Sequence, residues 1–77
     1  MNIKFQNIPG AEDRDKYVMV DGAELGTIAW YWQRLGGMQW VYTGPIAAHS
    51  FGASTLKEMK REIKRRIIKI YENAARD

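Results

Sequence analysis

Residues 16–43 read KYVMVDGAELGTIAWYWQRLGGMQWVYT, and two glycine-containing pairs divide this stretch into three runs of strand-like composition. Asp21-Gly22 favours a two-residue type I′ turn, because both central positions of that turn require positive φ. Gly36-Gly37 predicts a second two-residue turn, and Gly44-Pro45 ends the pairing. The stretch therefore predicts a three-stranded antiparallel β-meander over residues 16–43.

The residues before the meander form a separate N-terminal arm, residues 1–15. Ile3 and Phe5 alternate with polar residues and could add a short fourth strand. Pro9-Gly10 and the polar stretch AEDRD separate them from the meander, so we expect a connection there rather than continuous pairing.

From Thr55 the apolar residues recur with a helical period instead of alternating. Thr55 and Glu58 have the spacing of a capping box, which predicts a helix over residues 55–73. One stripe of the helix is apolar: Leu56, Met59, Ile63, Ile67, Ile70 and Ala74. The predicted fold class is α+β, with the three-stranded meander packed by one C-terminal amphipathic helix.

Composition limits the class of protein. The chain has 77 residues, 45% of them hydrophobic and 27% charged, which predicts a single folded domain over residues 1–77. The absence of cysteine excludes a disulfide scaffold and a thiolate metal site. Neither a signal-peptide pattern nor an apolar stretch of about 20 residues is present, so we expect a cytoplasmic protein without a membrane span.

Positive charge is concentrated in the predicted helix. Residues 1–54 carry four basic and five acidic side chains, whereas residues 55–72 carry seven basic and three acidic ones. The cations could form a solvated face whose Lys and Arg stems cover apolar edges, or a cationic ridge that binds phosphates or the carboxylates of a partner. Ile68 and Tyr71 lie in the same sector of the helical wheel as most of the cations, which favours the ridge slightly. The cations of this sector are Lys57, Lys60, Arg61, Lys64 and Arg65.

If both turns contain two residues, side-chain alternation assigns the meander to two faces. One predicted face carries Val18, Val20, Ala23, Leu25, Ala29, Tyr31, Leu35, Met38, Trp40 and Tyr42. The other carries Tyr17, Met19, Ile28, Trp30, Trp32, Val41 and Thr43, with Arg34 and Gln39 at its end. Both faces are rich in apolar side chains, and one helix can cover only one of them.

The second apolar face needs a cover, since soluble monomers rarely expose so large a patch. An intramolecular cover could come from the arm and from the loop before the helix, through Ile3, Phe5, Ile8, Ile46 and Phe51. The alternatives are a homodimer joined through Trp30 and Trp32, or a surface that docks on a partner. Trp and Tyr suit both alternatives because they bury a large area with few rotatable bonds.

Residues with catalytic or metal-binding patterns are missing. His49 is the only histidine, and no carboxylate neighbours it in the sequence. The acidic run of Glu12, Asp13 and Asp15 lacks the spacing of a calcium loop and is typical of a solvated connection. We therefore expect no enzyme activity, no metal and no cofactor.

The order of Asp-Gly hairpin, aromatic strand, Gly-Gly hairpin and final basic helix over residues 16–74 resembles small accessory proteins of bacteriophages and mobile elements, some of them anti-CRISPR proteins or host-takeover inhibitors. That resemblance implies a non-enzymatic protein that occupies a surface of a host complex. The order is also similar to the arm-type DNA-binding domains of phage integrases, which lay a three-stranded sheet into the major groove. Here the sheet carries only Lys16 and Arg34 as cations, whereas such sheet readers carry several.

The leading hypothesis is a small binding protein that docks on a protein or nucleoprotein complex through the aromatic sheet face and the basic helix ridge. The alternative is direct binding of nucleic acid by the basic helix. The candidate binding residues are Trp30, Trp32, Arg34, Lys57, Lys60, Arg61, Lys64, Arg65 and Tyr71.

Overall fold

The computed structural model describes residues 1–10, 14–34, 36–47 and 49–75. It is an α+β fold in which an antiparallel sheet of five strands carries one C-terminal helix. The elements are β1 (Ile3–Asn7), β2 (Lys16–Val20), β3 (Ala23–Gln33), β4 (Gly37–Thr43), β5 (Phe51–Ala53) and α1 (Leu56–Ala75). The strands lie side by side in sequence order, so every strand pairs with the next one along the chain.

The prediction of three strands is too low by two. The N-terminal fourth strand is confirmed as β1, in which Phe5 pairs with Val18. The fifth strand was not predicted. Residues 51–53 read only FGA, a run too short to show alternation, and its position is set by pairing of Phe51 with Tyr42 and of Ala53 with Trp40.

One of the two predicted turns is correct. Val20 pairs with Ala23 across Asp21 and Gly22, whose φ angles of 51° and 86° are those that a type I′ turn requires. The second prediction is wrong, because Gln33 pairs with Gly37 and leaves residues 34–36 between the strands. The loop therefore has three residues instead of two.

A β-bulge at Gly26 changes the alternation within β3. Tyr17 pairs with Thr27 while Met19 pairs with Glu24, so β3 contains one extra residue between these pairs. Gly26 has a φ of 111°, and a Cβ at this position would lie 2.5 Å from the Thr43 carbonyl oxygen. Glycine is required here by both the backbone conformation and the close approach of β4.

The bulge and the three-residue loop together correct the predicted faces. Trp30 pairs with Trp40 and Trp32 pairs with Met38, so Ile28, Trp30 and Trp32 share a face with the apolar residues of β4. Ala29 and Tyr31 lie on the opposite face. Their predicted assignment was the reverse, because the sequence pattern assumed unbroken alternation from Ala23 onward.

The core lies between this face and α1. Its fully or almost fully buried members are Val18, Val20, Ile28, Tyr42, Met59, Ile63 and Ile67. Four residues that were candidates to cover the second face pack instead against this same cluster: Ile3, Phe5, Ile46 and Phe51. The arm and the pre-helical loop therefore extend the core that the helix covers, and these four side chains do not cover the opposite face.

The helix begins next to its predicted cap and ends two residues later than predicted, at Ala75. The Thr55 hydroxyl accepts a hydrogen bond of 3.1 Å from the Glu58 amide, while the Glu58 carboxylate accepts one of 3.2 Å from the Ser54 hydroxyl.

Charged residues recur throughout α1, and within the described ranges no helix is long and apolar enough to cross a membrane.

Candidate interaction surfaces

The outer parts of β3 and β4 extend beyond the strands that flank them. Pairing between β2 and β3 reaches Ile28, and pairing between β4 and β5 stops at Trp40. From there to the loop, β3 and β4 pair only with each other within the described part of the chain. We name this extension, residues 30–34 and 36–40, the aromatic ribbon.

Two cross-strand pairs make the helix-side face of the aromatic ribbon apolar. The ring centroids of Trp30 and Trp40 lie 5.2 Å apart with the rings tilted by 60°, a favourable aromatic contact. The next pair outward is Trp32 with Met38, which are 67% and 45% exposed. An apolar pair thus projects into solvent beside a packed tryptophan pair.

The other face and the end of the aromatic ribbon are also exposed. Tyr31 lies on the face away from α1 and is 56% exposed. Arg34 lies in the loop and is exposed as well. The structure therefore places Trp30, Trp32 and Arg34, three of the predicted binding residues, on the same extension.

Asp15 fixes the base of the aromatic ribbon. Its carboxylate accepts a hydrogen bond of 3.2 Å from the Trp30 amide, at the point where β2 no longer pairs with β3. The same carboxylate forms an ion pair of 3.0 Å with Arg14. Asp15 lies in the connection before β2, as predicted, but its side chain is only 20% exposed and is not simply solvated. Glu12 and Asp13 lie outside the described residues.

Tyr42 joins the β3 bulge and the pre-helical loop to the core. Its buried hydroxyl donates a hydrogen bond of 2.6 Å to the Leu25 carbonyl and accepts one of 3.3 Å from the Ile46 amide. Burial raises the pKa of Tyr42, because the charged phenolate would lose its hydration. The hydroxyl therefore holds the bulge and the pre-helical loop against β4 in its protonated form.

The predicted basic ridge is divided between two flanks of α1. Lys60 and Lys64 place their ammonium groups 5.3 Å and 5.9 Å from the centroid of the Phe5 ring, on the flank above β1. Lys57 belongs to the same flank by its spacing of three residues from Lys60. No described carboxylate lies within 4 Å of these three lysines.

The arginines lie toward the opposite flank. Glu62 binds Arg65 at 2.6 Å and Arg66 at 2.9 Å. The hydrogen bond from Arg65, and next the one from Arg66, lower the pKa of Glu62 to about 2. Arg61 borders the surface that contains Glu58 and Glu62. Arg65 is therefore paired with a carboxylate, unlike the three lysines, while Arg61 only borders the same cleft as Glu58 and Glu62.

A third exposed region lies at the C-terminal end of α1. Tyr71 and Ile70 border a small open cleft of about 240 Å³ with apolar walls, whose other residues are Leu25, Pro45, Ile46 and Ile67. Ile70 was predicted to belong to the buried stripe, but it is 45% exposed because the core ends at Ile67.

Tyr31, Met38 and Trp40 were not among the predicted binding residues, although they lie on the same extension as Trp30 and Trp32. The signal that could have identified them is Gly26, since a glycine inside a strand pattern often marks a bulge.

In the described ranges His49 is exposed and no three acidic or histidine side chains are grouped as metal ligands.

Comparison with known proteins identifies no relative of this chain. No protein-family model matches the chain, and neither a curated protein nor a solved structure shows significant similarity to it.

Proposed function

We propose that this protein is a non-enzymatic binding protein that docks on a partner protein or nucleoprotein complex through the aromatic ribbon. The observation that supports this proposal most directly is the exposed pair of Trp32 and Met38 beside the packed pair of Trp30 and Trp40. The resemblance in size and element order to phage accessory proteins extends the proposal to an inhibitor or modulator of a host complex.

The physical argument starts from the cost of exposing apolar surface. Burying a large apolar side chain stabilises a fold by about 1.5–3 kcal/mol, and Trp32 and Met38 receive little of this from the rest of the chain. Tryptophan, methionine and arginine are also enriched at the centres of protein interfaces. The Trp30–Trp40 contact restrains the neighbouring strands, so the exposed pair would lose little conformational freedom on binding.

The test compares exposed apolar side chains at two places in the molecule. Trp32→Ser with Met38→Ser alters the aromatic ribbon, and Ile70→Ser alters the far end of α1 as a control. We expect the wild-type protein and the control to capture the same partner from lysate of the native host. Once that partner is purified, the ribbon variant should bind it about 30-fold more weakly, the size of a typical hot-spot loss.

Two results would count against docking through the aromatic ribbon. One is equal affinity of the ribbon variant and the wild type for the purified partner. The other is a stable homodimer in sedimentation equilibrium that is lost in the ribbon variant, which would assign the exposed pair to self-association.

Direct binding of nucleic acid is the second candidate function. The observation that favours it is the group of lysines without a described carboxylate neighbour: Lys57, Lys60 and Lys64. Three phosphate contacts would give a slope of about −2 to −3 in a plot of log affinity against log salt concentration. Fluorescence anisotropy with duplex and single-stranded probes measures this slope, and weak binding even at low salt would remove the candidate.

A further inference from the structure

The open edge of the sheet at β1 has unused backbone groups. β1 is the first strand of the sheet and pairs only with β2 in the described part of the chain. The Asn2 carbonyl accepts a bond from the Asp21 amide, and the Ile8 amide donates one to the Asp15 carbonyl. Because backbone groups alternate along a strand, Ile3 and Phe5 direct their N–H and C=O groups toward the open edge.

A basic flank of α1 lies directly above this edge. The ammonium groups of Lys60 and Lys64 are held over the Phe5 ring, and Lys57 lies one turn earlier on the same flank. Ile68 and Tyr71 continue the flank at helical spacing, and both are exposed. The helix flank and the strand edge therefore lie next to each other, and we name the surface between them the α1–β1 groove.

We propose that the α1–β1 groove binds an extended acidic segment of a partner protein, which adds to β1 as a further antiparallel or parallel strand. Its backbone would bond to the outward N–H and C=O groups of Ile3 and Phe5. Every second side chain of an added strand points toward the helix. Carboxylates at these positions would meet Lys60 and Lys64.

The positive charge of the α1 flank and the outward backbone groups of β1 favour an acidic peptide segment over other partners. The lysines of the flank have no described carboxylate within 4 Å, so they can form new ion pairs without breaking old ones. A nucleic acid could also neutralise the lysines, but its backbone has no alternating amide donors and carbonyl acceptors to continue a β-ladder. Strand addition gains affinity from the main chain and specificity from alternate side chains, and it is a recurrent mode of peptide recognition.

The groove goes beyond the docking role proposed for the aromatic ribbon, because it uses a different strand and a different flank. β1 is separated from β3 by β2, whereas the aromatic ribbon belongs to β3 and β4. Changes at Trp32 and Met38 should therefore leave binding in the groove unchanged.

The probe is a fluorescent eight-residue peptide that alternates glutamate and threonine. Anisotropy titrations at low ionic strength should show binding by the full-length protein. Lys64→Glu should weaken binding about tenfold or more, because it replaces an attraction by a repulsion at the site. Lys69→Glu is the matched control, since it makes the same change of charge on the other flank of α1, and it should have little effect.

Two N-methylated peptides separate strand addition from simple charge attraction. One carries N-methyl groups on the two central glutamates and the other on the two central threonines. Only one of these sets of amides can face β1, so we expect one peptide to bind like the parent and the other to bind at least about tenfold more weakly.

Several outcomes would overturn the proposal. They are the absence of peptide binding at low ionic strength, equal losses for Lys64→Glu and Lys69→Glu, and equal affinities of the two N-methylated peptides. If an oligothymidylate of eight nucleotides bound more tightly than the peptide, and if Lys64→Glu abolished that binding, the flank would be assigned to nucleic acid instead. A variant with Trp32→Ser and Met38→Ser should bind the peptide like the wild type. The peptide test can therefore fail without bearing on the proposal for the aromatic ribbon, and the reverse also holds.

Discussion

The inner and outer halves of β3 and β4 belong to the same two strands, yet their environments differ completely. On the inner half Ile28 and Tyr42 are fully buried, whereas on the outer half Trp32 and Met38 are 67% and 45% exposed. All four side chains lie on the helix-side face. Amino-acid type does not explain the difference, because Trp32 has the largest side chain of the four and is also the most exposed.

The difference follows from where the neighbouring elements begin and end. β2 pairs with β3 no further than Ile28, and β5 pairs with β4 no further than Trp40. The buried residues of α1 that reach the core are Met59, Ile63 and Ile67. The pairing of the strands therefore sets which face a side chain occupies, while its burial depends on elements elsewhere in the chain. The inner halves of β3 and β4 belong to the core and stabilise the fold, whereas the aromatic ribbon is exposed and can contact a partner.

The largest contrast should appear when an apolar side chain is shortened in each region. Ile63→Ala leaves a cavity in the core and should lower the free energy of unfolding by about 2–5 kcal/mol, enough to unfold so small a protein under mild conditions. Trp32→Ala should change it by less than about 0.5 kcal/mol, as for other exposed positions. Urea titration followed by circular dichroism measures both values.

Lys64→Ala serves as a control on the same helix as Ile63, because it changes a side chain of α1 without opening the core. It should leave the unfolding midpoint nearly unchanged. If Trp32→Ala were as destabilising as Ile63→Ala, the aromatic ribbon would be part of the core, and the contrast between the two regions would be lost.

The next largest effect is expected at the Gly26 bulge, which lies at the inner end of β3, beside Tyr42 and Thr43. In Gly26→Ala the new Cβ would meet the Thr43 carbonyl and the Tyr42 ring, at a φ of 111°. Backbone strain of this kind costs roughly 1–3 kcal/mol, and the close contact adds to it. Gly22→Ala, at a φ of 86° with no atom within 4 Å of the new Cβ, isolates the strain alone.

Thermal unfolding should therefore rank Gly26→Ala as less stable than Gly22→Ala. Equal melting temperatures would show that β4 can move away from the bulge. In that case the position of Trp30 and Trp32 on the helix-side face would not depend on Gly26.

A smaller effect is expected from the hydroxyl that links the bulge to the pre-helical loop. Tyr42→Phe removes the donor to the Leu25 carbonyl and the acceptor of the Ile46 amide, and should cost roughly 1–2 kcal/mol. Burial raises the pKa of Tyr42, so the unfolded chain ionises first as the pH increases. The stabilisation from the protonated hydroxyl is present below about pH 10 and is lost as the pH rises through the higher folded pKa.

Unfolding by urea at pH 8 and at pH 11 measures this dependence. The wild type should lose more stability between the two values than Tyr42→Phe does. Identical losses in the two proteins would mean that another group is responsible for the alkaline sensitivity.

Local signals in the sequence predicted the parts of the fold that local interactions decide. The Asp21-Gly22 turn depends on the φ preferences of its own two residues, and the Thr55 cap depends on an amide three residues away. The helical stripe likewise predicted the burial of Met59 and Ile63. These features need no knowledge of the rest of the chain.

The errors concern features that distant residues decide. Gly26 forms a bulge because the Tyr42 ring and the Thr43 carbonyl approach it, some 16 residues away in sequence. β5 exists because Phe51 and Ala53 find partners on β4. At the candidate site, Trp30 and Trp32 were named as candidate binding residues, and Trp32 is exposed while Trp30 is half-buried. Their face and their partners on β4 were not predicted.

The smallest effect is expected at the ion pairs on the surface of α1. Glu62→Gln removes the pairs with Arg65 and Arg66, and should lower the free energy of unfolding only slightly because solvent screens these exposed pairs. Since these pairs lower the pKa of Glu62 to about 2, their contribution is present above about pH 4.5 and is lost as the pH falls toward 2. Urea unfolding at pH 6 and pH 3 should show a slightly smaller loss for Glu62→Gln than for the wild type. A large loss at Glu62, comparable with that at Ile63, would mean that charge rather than apolar burial holds α1 on the sheet.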